Sequence, residues 1–312
     1  MDFQELQQMQ RLPLAIKIKK SELRIREWYE HWQGDGYVAF SGGLDSTVLL
    51  HLVRSLYPEV QAVYNHTGLE YPENVEQVER FDNVVTLKPK MNFKEVIEHY
   101  GYPIISKEQA QYINEFRNTK SDKLRNTRQY GNKSGRGKVS DKWFYLTDAP
   151  FKISDRCCYV LKKRPVHQYE KETGNHPFLG ILAEESSKRV QDYLKYGGCN
   201  AYESNRPVSK PLGFWTHADI WEYIREYNVP YSRLYDMGYE RSGCMWCGFG
   251  CHLESTPNRF QRMAITHPKQ YHYCMEQLGL REVLKYIGVE YRPLNQIPGY
   301  MGEQQELPFF DE

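Results

Sequence analysis

A short apolar strand, a pair of glycines and a helix follow one another without interruption, and this order constrains the fold more than any other feature. The strand covers Tyr37–Phe40, the glycines are Gly42 and Gly43, and the helix is predicted over Thr47–Leu56. Paired glycines allow a positive φ angle and let a ligand approach the backbone without a Cβ in the way. The unpaired N–H groups at the start of the helix then favour an anion. The segment therefore predicts a phosphate-binding loop.

Polar side chains in the same loop fit this interpretation. Ser41, Ser46 and Thr47 supply hydroxyl donors, and Asp45 can hold a divalent cation against phosphate oxygens. The alternative is an ordinary strand–helix turn in which Asp45 or Ser46 caps the helix. The loop is not of the G-x-x-x-x-G-K-[ST] type, because it lacks the lysine and the spacing of that motif.

The region that follows alternates between strands and helices. Strands are predicted over Val60–Tyr64, Val84–Leu87 and Phe178–Leu182, and a helix over Glu73–Arg80. Such alternation is typical of an α/β fold with a parallel sheet. Ligands of such sheets bind beyond the carboxyl ends of the strands, which is where the glycine loop falls.

Three segments are predicted along the chain. Residues 1–33 form an N-terminal helical segment, 34–235 a nucleotide-binding α/β domain, and 236–312 a C-terminal region with a Cys-x-x-Cys pair and short helices. Within the α/β domain, Thr216 begins a further helix with a capping-box pattern.

A basic insertion is predicted over residues 118–142. Between Arg117 and Lys142 the chain carries nine Lys or Arg residues and two Asp, with few apolar residues. This composition predicts a mobile surface segment. It is either a solvated loop or a surface that tracks the phosphate backbone of a nucleic-acid acceptor.

The overall composition bears on the expected partners, on the cellular location and on the state of the cysteines. The net charge is +1, so the chain as a whole offers no electrostatic case for nucleic acid. Because the sequence has no apolar run of transmembrane length and no signal-peptide pattern at its start, we expect a cytoplasmic protein without a membrane partner. Thiols stay reduced in that compartment, so the seven cysteines are expected to be ligands or nucleophiles rather than disulfides.

Four of these cysteines form two pairs. Cys157 and Cys158 are adjacent, and Cys244 and Cys247 form a Cys-x-x-Cys pair, with Cys251 as a substitute ligand. Adjacent cysteines would be strained on one zinc ion, whereas the wider iron–sulfur cube lets neighbours reach different irons. The spacing therefore favours a 4Fe-4S cluster. Zn²⁺, a redox thiol pair and unligated cysteines remain alternatives.

Five motifs occur in an order that is informative about the family. They are the loop Ser41–Ser46, Asn65–Glu73, Arg156–Lys162, Gly180–Ser186 followed by Lys188 and Arg189, and a last block from Lys210 to Cys244 that includes Leu234–Tyr239. With them the chain resembles the phosphoadenosine/adenosine phosphosulfate reductase family of the adenine-nucleotide α-hydrolase-like superfamily. The loop itself is similar to the pyrophosphate loop of ATP pyrophosphatases.

This resemblance implies a fold and a set of site residues. It implies a five-stranded parallel sheet with helices on both faces, and an adenine nucleotide bound over Ser41–Thr47, with Thr67 and Gly68 nearby in the motif order. It also implies a 4Fe-4S cluster on the four paired cysteines. Lys188 and Arg189 are candidate contacts to the α-phosphate, the alternative being solvated helix charges. Glu185 and Ser186 are candidates for orienting the ribose or a metal ion.

The sequence also departs from the reductases. Those enzymes carry a nucleophilic Cys in a C-terminal Glu-Cys-Gly-Leu-His segment, whereas this chain ends in Gln305–Glu312 without one, and its last cysteine is Cys274. Leu182 stands where the reductase motif commonly has Arg, and Asn65 replaces the usual Asp. The departures shift the expected ligand from adenylyl sulfate towards ATP with Mg²⁺.

Three functions follow as hypotheses. The first is an ATP pyrophosphatase that adenylates an acceptor for sulfur transfer, similar to the ATPase component of DNA phosphorothioation systems and supplied by a sulfur donor such as a cysteine desulfurase. The second is a reductase of adenylyl sulfate or phosphoadenylyl sulfate with thioredoxin as partner. The third is a non-catalytic nucleotide-binding subunit.

Overall fold

The computed structural model describes residues 2–297, which form two compact units. Of the described residues, the first unit contains 2–66, 70–88 and 165–242, and the second contains 67–69, 89–164 and 243–297. Both are assembled from separated stretches of chain, unlike the contiguous segments 1–33, 34–235 and 236–312, which remain a prediction. The chain end Gln305–Glu312 lies outside the described residues.

The described residues contain eight short strands and a larger number of helices. The strands are β1 (Gly36–Phe40), β2 (Gln61–Asn65), β3 (Val84–Leu87), β4 (Ile104–Ile105), β5 (His176–Leu179), β6 (Asn200–Ala201), β7 (Val208–Ser209) and β8 (Gly248–Phe249). The α-helices are α1 (Phe3–Gln10), α2 (Leu14–His31), α3 (Leu44–Leu56), α4 (Pro72–Glu79), α5 (Phe93–His99), α6 (Lys107–Asn118), α7 (Asp122–Tyr130), α8 (Arg156–Cys158), α9 (Arg164–Thr173), α10 (Ser187–Lys195), α11 (His217–Tyr227), α12 (Arg259–Thr266), α13 (Pro268–His272) and α14 (Leu280–Tyr286). Among these helices, none is both long enough and apolar enough to cross a membrane.

The first unit is built on a mostly parallel sheet, which confirms the α/β prediction. Its strand order is β3-β2-β1-β5-β7-β6. Five strands are parallel, as expected, and the two-residue strand β6 adds an antiparallel edge. Strand β1 pairs with β2 on one side and β5 on the other, so the loop after Phe40 leaves the sheet between two neighbouring strands. This central position places the glycine loop at the carboxyl edge of the sheet.

Helix α3 anchors that loop because most of its residues are buried. Val48, Leu49, Leu50 and Val53 have no exposed surface. A helix buried over most of its surface is held by the core against which it packs. The loop at its amino end is therefore mounted on a rigid element.

The N-terminal segment is helical as predicted, and a buried ion pair fixes it. Lys17 of α2 is 1% exposed, and its Nζ lies 2.5 Å from Oδ2 of Asp219. Asp219 also accepts hydrogen bonds from the backbone N–H and hydroxyl of Thr216, which completes the predicted capping box at the start of α11. One carboxylate thus caps one helix and neutralises the buried ammonium of another.

The second unit combines the parallel pair β4–β8 with helices α5 to α8 and α12 to α14. The basic insertion belongs to this unit, and its predicted mobility stays a prediction. Part of it is helical: Asp122–Tyr130 forms helix α7, which Ser121 caps through its side chain. This helix was not predicted because α7 has no buried residue, so its sequence shows no apolar periodicity.

Candidate nucleotide and cysteine sites

Close contacts surround both loop glycines. Gly42 has a φ of +73°, and a Cβ on it would lie 2.5 Å from the carbonyl oxygen of Asn74, so backbone geometry requires glycine there. A Cβ on Gly43 would collide with Oγ of Ser242, a side-chain atom. The loop is therefore packed against α4 at Gly42 and against Ser242 at Gly43.

Hydroxyl groups hold the loop in shape from within. The hydroxyls of Ser46 and Thr47 each donate to the carbonyl oxygen of Gly43, both at 2.9 Å. Ser46 also accepts from the backbone N–H of Ser41 at 3.2 Å. Ser46 and Thr47 are buried, whereas Ser41 is exposed but its hydroxyl also contacts the loop, at 3.1 Å from the Ser46 hydroxyl and as acceptor from the N–H of Gly43 at 3.4 Å. Contact of any of these hydroxyls with a nucleotide stays a prediction.

The first turn of α3 keeps backbone donors available. Gly43 is the N-cap residue and no side chain caps the helix, so the expectation that Asp45 or Ser46 would be the N-cap in an ordinary turn was wrong, while phosphate binding by the loop stays a prediction. The hydroxyl of Tyr235 accepts from the N–H of Leu44 at 3.1 Å. Within residues 2–297, the N–H groups of Asp45 and Ser46 have no hydrogen-bond acceptor. Two adjacent free donors at a helix amino end can bind an anion.

A close approach from the neighbouring strand holds this turn in place. A Cβ on Gly180, which follows β5, would lie 2.8 Å from the carbonyl oxygen of Asp45 and 2.9 Å from the nitrogen of Ser46. Since ordinary van der Waals contact begins near 3.4 Å, only glycine fits here. Gly180 therefore packs directly against the backbone amide of Ser46, which is one of the two amides free to bind an anion.

Charged side chains surround Asp45. Burial raises the pKa of Asp45 to about 6, while Arg189 and Arg241 lower it and Glu184 raises it further. Burial also lowers the pKa of Arg189, and Asp45 opposes that shift. Arg189 forms an ion pair with Glu185. The site therefore holds two guanidinium groups and three carboxylates, those of Asp45, Glu184 and Glu185, and Glu185 already neutralises Arg189.

The remaining predicted residues have different positions. Ser186 is the N-cap of α10 and accepts from the N–H of Arg189 at 3.3 Å, while Lys188 is exposed on the first turn. Thr67 and Gly68 belong to the second unit, and the Thr67 hydroxyl accepts from the N–H of Leu69 at 3.2 Å. A role for these four residues in nucleotide binding stays a prediction.

Four residues at this site were not predicted from the sequence. Gly180 and Tyr235 lie inside the motifs named above, but their contacts with the loop come from distant parts of the chain. Arg241 and Ser242 precede Cys244 with no local pattern of their own. Contacts between residues so far apart in the sequence leave no periodic pattern in it, so these residues are recognised only in the folded chain.

The four paired cysteines line one cavity in the second unit. The cavity is small, with a volume of about 10 Å³, and its other lining residues are mostly apolar: Leu69, Phe93, Pro103, Leu161, Lys162 and Phe249. Burial and then the proximity of Cys158, Cys244 and Cys247 raise the pKa of Cys157. Burial likewise raises the pKa of Cys247 to about 11, with Cys244 as the next cause. The two pairs, far apart in sequence, are thus neighbours in space.

Backbone contacts position the second pair. The N–H of Cys247 donates to the carbonyl of Cys244 at 3.2 Å, and the N–H of Met245 donates to the carbonyl of Leu69 at 2.8 Å. The guanidinium of Arg259 donates to the carbonyl of Cys247 at 2.9 Å. These bonds form a fixed turn with both thiols on the cavity side, which suits a metal centre that depends on ligand orientation.

Four thiols around an apolar cavity fit the donor set of an iron–sulfur cluster, in which each sulfur binds a different iron. Among residues 2–297, no three His, Cys, Asp or Glu side chains are placed so that they could hold a single metal ion. The assignment of the cluster, and of Zn²⁺ as its alternative, remains a prediction.

The other three cysteines lie outside the cavity lining. Cys251, the predicted substitute ligand, is 1% exposed and its thiol donates to the carbonyl of Gly248 at 3.0 Å. Cys199 and Cys274 are also buried. Burial raises the pKa of Cys199 to about 11 and the pKa values of Cys251 and Cys274 to about 12. A buried thiol with a raised pKa is a poor nucleophile.

Comparison with known proteins identifies a domain family. The family model of the phosphoadenosine phosphosulfate reductase domain matches residues 36–248. A protein of Methanocaldococcus jannaschii, described only as uncharacterized, is 25% identical over 272 residues, which cover 83% of this chain and 52% of that protein. A second protein of the same organism is 27% identical, and the match covers 38% of it. The chain therefore spans about half or less of these two relatives.

Other relatives carry enzyme names. The adenosine 5′-phosphosulfate reductase of Anoxybacillus flavithermus is 26% identical over 230 residues, covering 73% of this chain and 80% of that enzyme. Among solved structures, the phosphoadenylyl-sulfate reductase of Candida auris is 17% identical with a TM-score of 0.43, over 78% of this chain and 96% of that one. The U34-tRNA thiolase of Methanococcus maripaludis, solved with its [4Fe-4S] cluster, is 14% identical with a TM-score of 0.38, over 94% and 87%.

Proposed function

Because the chain belongs to the phosphoadenosine phosphosulfate reductase domain family, we propose that it binds ATP at the glycine loop and splits it between the α- and β-phosphates. The observation that carries this proposal is the pair of free amides at Asp45 and Ser46, which lie at a rigid helix end in a closely packed loop. Such an arrangement stabilises phosphate oxygens without any change of conformation.

The proposed reaction transfers AMP to an acceptor. An acceptor oxygen attacks the α-phosphorus, a new P–O bond forms, and the bond to the bridging oxygen breaks with its electron pair leaving on pyrophosphate. The amides of Asp45 and Ser46 would bind the phosphate oxygens that gain charge, and Arg189 and Arg241 would balance that charge. Mg²⁺, held by Asp45, would supply further stabilisation of the leaving group. A sulfur nucleophile would then displace AMP from the activated acceptor.

The four-cysteine cavity would hold a 4Fe-4S cluster on Cys157, Cys158, Cys244 and Cys247. Held there by four thiolates, one on each iron, the cluster would supply a one-electron redox centre. The apolar lining contributed by Leu161 and the other cavity residues would exclude water from it.

A second candidate is reduction of adenylyl sulfate, which the names of several relatives favour. That reaction needs an exposed thiol of low pKa to take the sulfonate. All seven cysteines lie within residues 2–297, and the three outside the cavity are buried with raised pKa values. If the cavity thiols hold a cluster, no cysteine remains in the state that this reaction needs. The thiols therefore favour ATP over adenylyl sulfate.

Product analysis with two nucleotides separates the candidates. Protein purified without oxygen is incubated with Mg²⁺ and either ATP labelled at the α-phosphate or adenylyl sulfate with a thiol reductant. We expect AMP or an adenylated product together with pyrophosphate from ATP, and no sulfite from adenylyl sulfate. Formation of ADP and phosphate, or sulfite release without ATP, would contradict the proposal. Tight ATP binding without any turnover would instead favour a non-catalytic subunit.

Matched variants test the loop and the cavity separately. Asp45→Asn should abolish pyrophosphate release, whereas Asp35→Asn, an exposed carboxylate in the same unit, should not. Cys157→Ser should remove iron and visible absorbance, whereas Cys274→Ser should keep both because Cys274 lies outside the cavity. Equal iron content in the two cysteine variants would exclude the proposed ligand set.

A further inference from the structure

Helix α7 and the turn that follows it present basic and aromatic side chains to solvent; residues 120–137 are called here the insertion surface. Tyr130 is 70% exposed, which is unusual for so large a ring. Five basic residues of this surface are exposed, and none of them forms an ion pair with a carboxylate in the described part of the chain: Lys120, Lys123, Arg125, Lys133 and Arg136. Since the whole chain carries a net charge of only +1, this excess is local.

One half-buried arginine holds the surface in place. The Nε of Arg128 donates to Glu115 at 2.6 Å, and its Nη1 donates to the carbonyl of Gly137, also at 2.6 Å. Its guanidinium lies 4.0 Å from the ring centre of Tyr112. Arg128 is thus used internally, as the link between α6, α7 and the turn. Arg125 is also used internally, since it donates to the carbonyl of Thr119 at 2.7 Å. Lys120, Lys123, Lys133 and Arg136 are left for a partner.

The turn after α7 is itself ordered. Oδ1 of Asn132 accepts from the N–H of Ser134, the hydroxyl of Ser134 and the N–H of Arg136, at 2.7 to 3.0 Å. Gly131 has a φ of +89°, and a Cβ on it would lie 2.8 Å from the backbone of Gly135. The turn therefore holds Lys133 and Arg136 in a defined position, which lowers the entropy lost when they bind.

Helical spacing places the ring of Tyr130 on the same face of α7 as the cation Lys123. Lys123, Asn126 and Tyr130 are separated by three and four residues, so they share one face of α7. An exposed ring with one cation on its own helix face and further cations in the adjoining turn is suited to a partner that has both phosphates and accessible aromatic faces. We propose that the insertion surface binds single-stranded nucleic acid, with the basic side chains on phosphates and Tyr130 stacked on a base.

This binding is independent of the nucleotide chemistry proposed for the glycine loop. It is measured by fluorescence anisotropy with a labelled single strand of about 20 nucleotides of mixed sequence, without ATP. The same strand as a duplex and a polyglutamate of similar charge are the comparison ligands. We expect the single strand to bind more tightly than both.

Charge variants test the phosphate contacts. In the triple variant Lys123→Gln, Lys133→Gln and Arg136→Gln, the slope of log Kobs against log salt should fall by about 2, since each phosphate contact to a single strand contributes about 0.7. The control triple Lys19→Gln, Lys20→Gln and Lys285→Gln removes the same charge from exposed sites elsewhere and should leave the slope unchanged.

Ring variants test the stacking contact. Tyr130→Ala should weaken single-strand binding about tenfold with an unchanged salt slope. Tyr227→Ala, which removes a ring that is 43% exposed, should have no effect. Thermal unfolding followed by circular dichroism verifies that each variant is folded.

Three results would overturn the inference. They are an equal loss of slope in the control triple, an affinity of Tyr130→Ala equal to that of the wild type, and binding of the duplex or the polyglutamate as tightly as the single strand. The last would identify a duplex-binding surface or a surface for acidic proteins. Because ATP is absent from this assay, failure of the ATP pyrophosphatase proposal would leave the result unaffected.

Discussion

Replacing Gly180 by alanine tests whether the free amides of the first turn bind phosphate. The backbone of Gly180 lies outside the positive-φ region, so alanine adds a methyl group without backbone strain. That methyl group would lie 2.8 Å from the carbonyl oxygen of Asp45 and 2.9 Å from the nitrogen of Ser46. Both atoms are backbone, so relief requires the first turn of α3 to move.

The size of the effect follows from these distances. The contacts are about half an ångström shorter than ordinary van der Waals contact, and overpacking of this kind costs about 1–3 kcal/mol of stability. A binding site loses function when its groups move by about the same half ångström. We therefore expect ATP, or inorganic pyrophosphate, to bind at least about tenfold more weakly, equivalent to about 1.4 kcal/mol.

A second glycine provides the control. Gly174 has a φ of +77°, and no atom lies within 4 Å of the position that a Cβ would take, so Gly174→Ala should cost about 1 kcal/mol through backbone strain alone. Isothermal titration calorimetry gives the affinities, and urea unfolding gives the free energies of unfolding. If Gly180→Ala binds either ligand as tightly as the wild type, or if both variants lose affinity in proportion to stability, the assignment of the amides is wrong.

Three further predictions concern single residues. Lys17→Met leaves the buried carboxylate of Asp219 without its cation and should lower the free energy of unfolding by about 3 kcal/mol in urea titrations; a loss below about 1 kcal/mol would contradict the role of this ion pair. Tyr235→Phe removes the acceptor for the N–H of Leu44 and should cost about 1–3 kcal/mol. Saturating pyrophosphate should reduce this loss of stability, because the anion can accept a hydrogen bond from the N–H of Leu44. If pyrophosphate leaves the loss unchanged, the amide of Leu44 lies outside the anion site. Cys247→Ser should lower iron content and visible absorbance, and an unchanged iron content would exclude this cysteine as a ligand.

Much of the fold could be predicted from local sequence. Strand β1 and helix α3 were predicted within a few residues, because a run of β-prone residues, a glycine pair and an apolar helix each have a strong local pattern. Helix α11 was predicted from its capping box. The extra edge strand β6 was not predicted, since two residues are too few to show a period of two.

The insertion contains a helix that its composition did not predict. Residues 118–142 are poor in apolar side chains, which predicted a mobile segment, and within them α7 is linked to α6 by contacts of Arg128 with Glu115 and Tyr112. A helix stabilised by one half-buried cation, here Arg128, has no apolar residues at helical spacing, so sequence periodicity does not reveal it. Its nucleic-acid role was one of two alternatives in the sequence, and the exposure of Tyr130 is what now favours it.

The order of the amino acids was enough to set the kind of chemistry available to this protein. The spacing within Ser41–Thr47 and within the two cysteine pairs is local, and local spacing sets what a loop or a turn can bind. Folding decided which of these groups remain available for binding. Folding turned the hydroxyls of Ser46 and Thr47 inward, placed Tyr235 on one amide and left two others free, and buried the three cysteines outside the cavity. Those outcomes depend on contacts between residues far apart in the chain, and no local sequence pattern predicts such contacts.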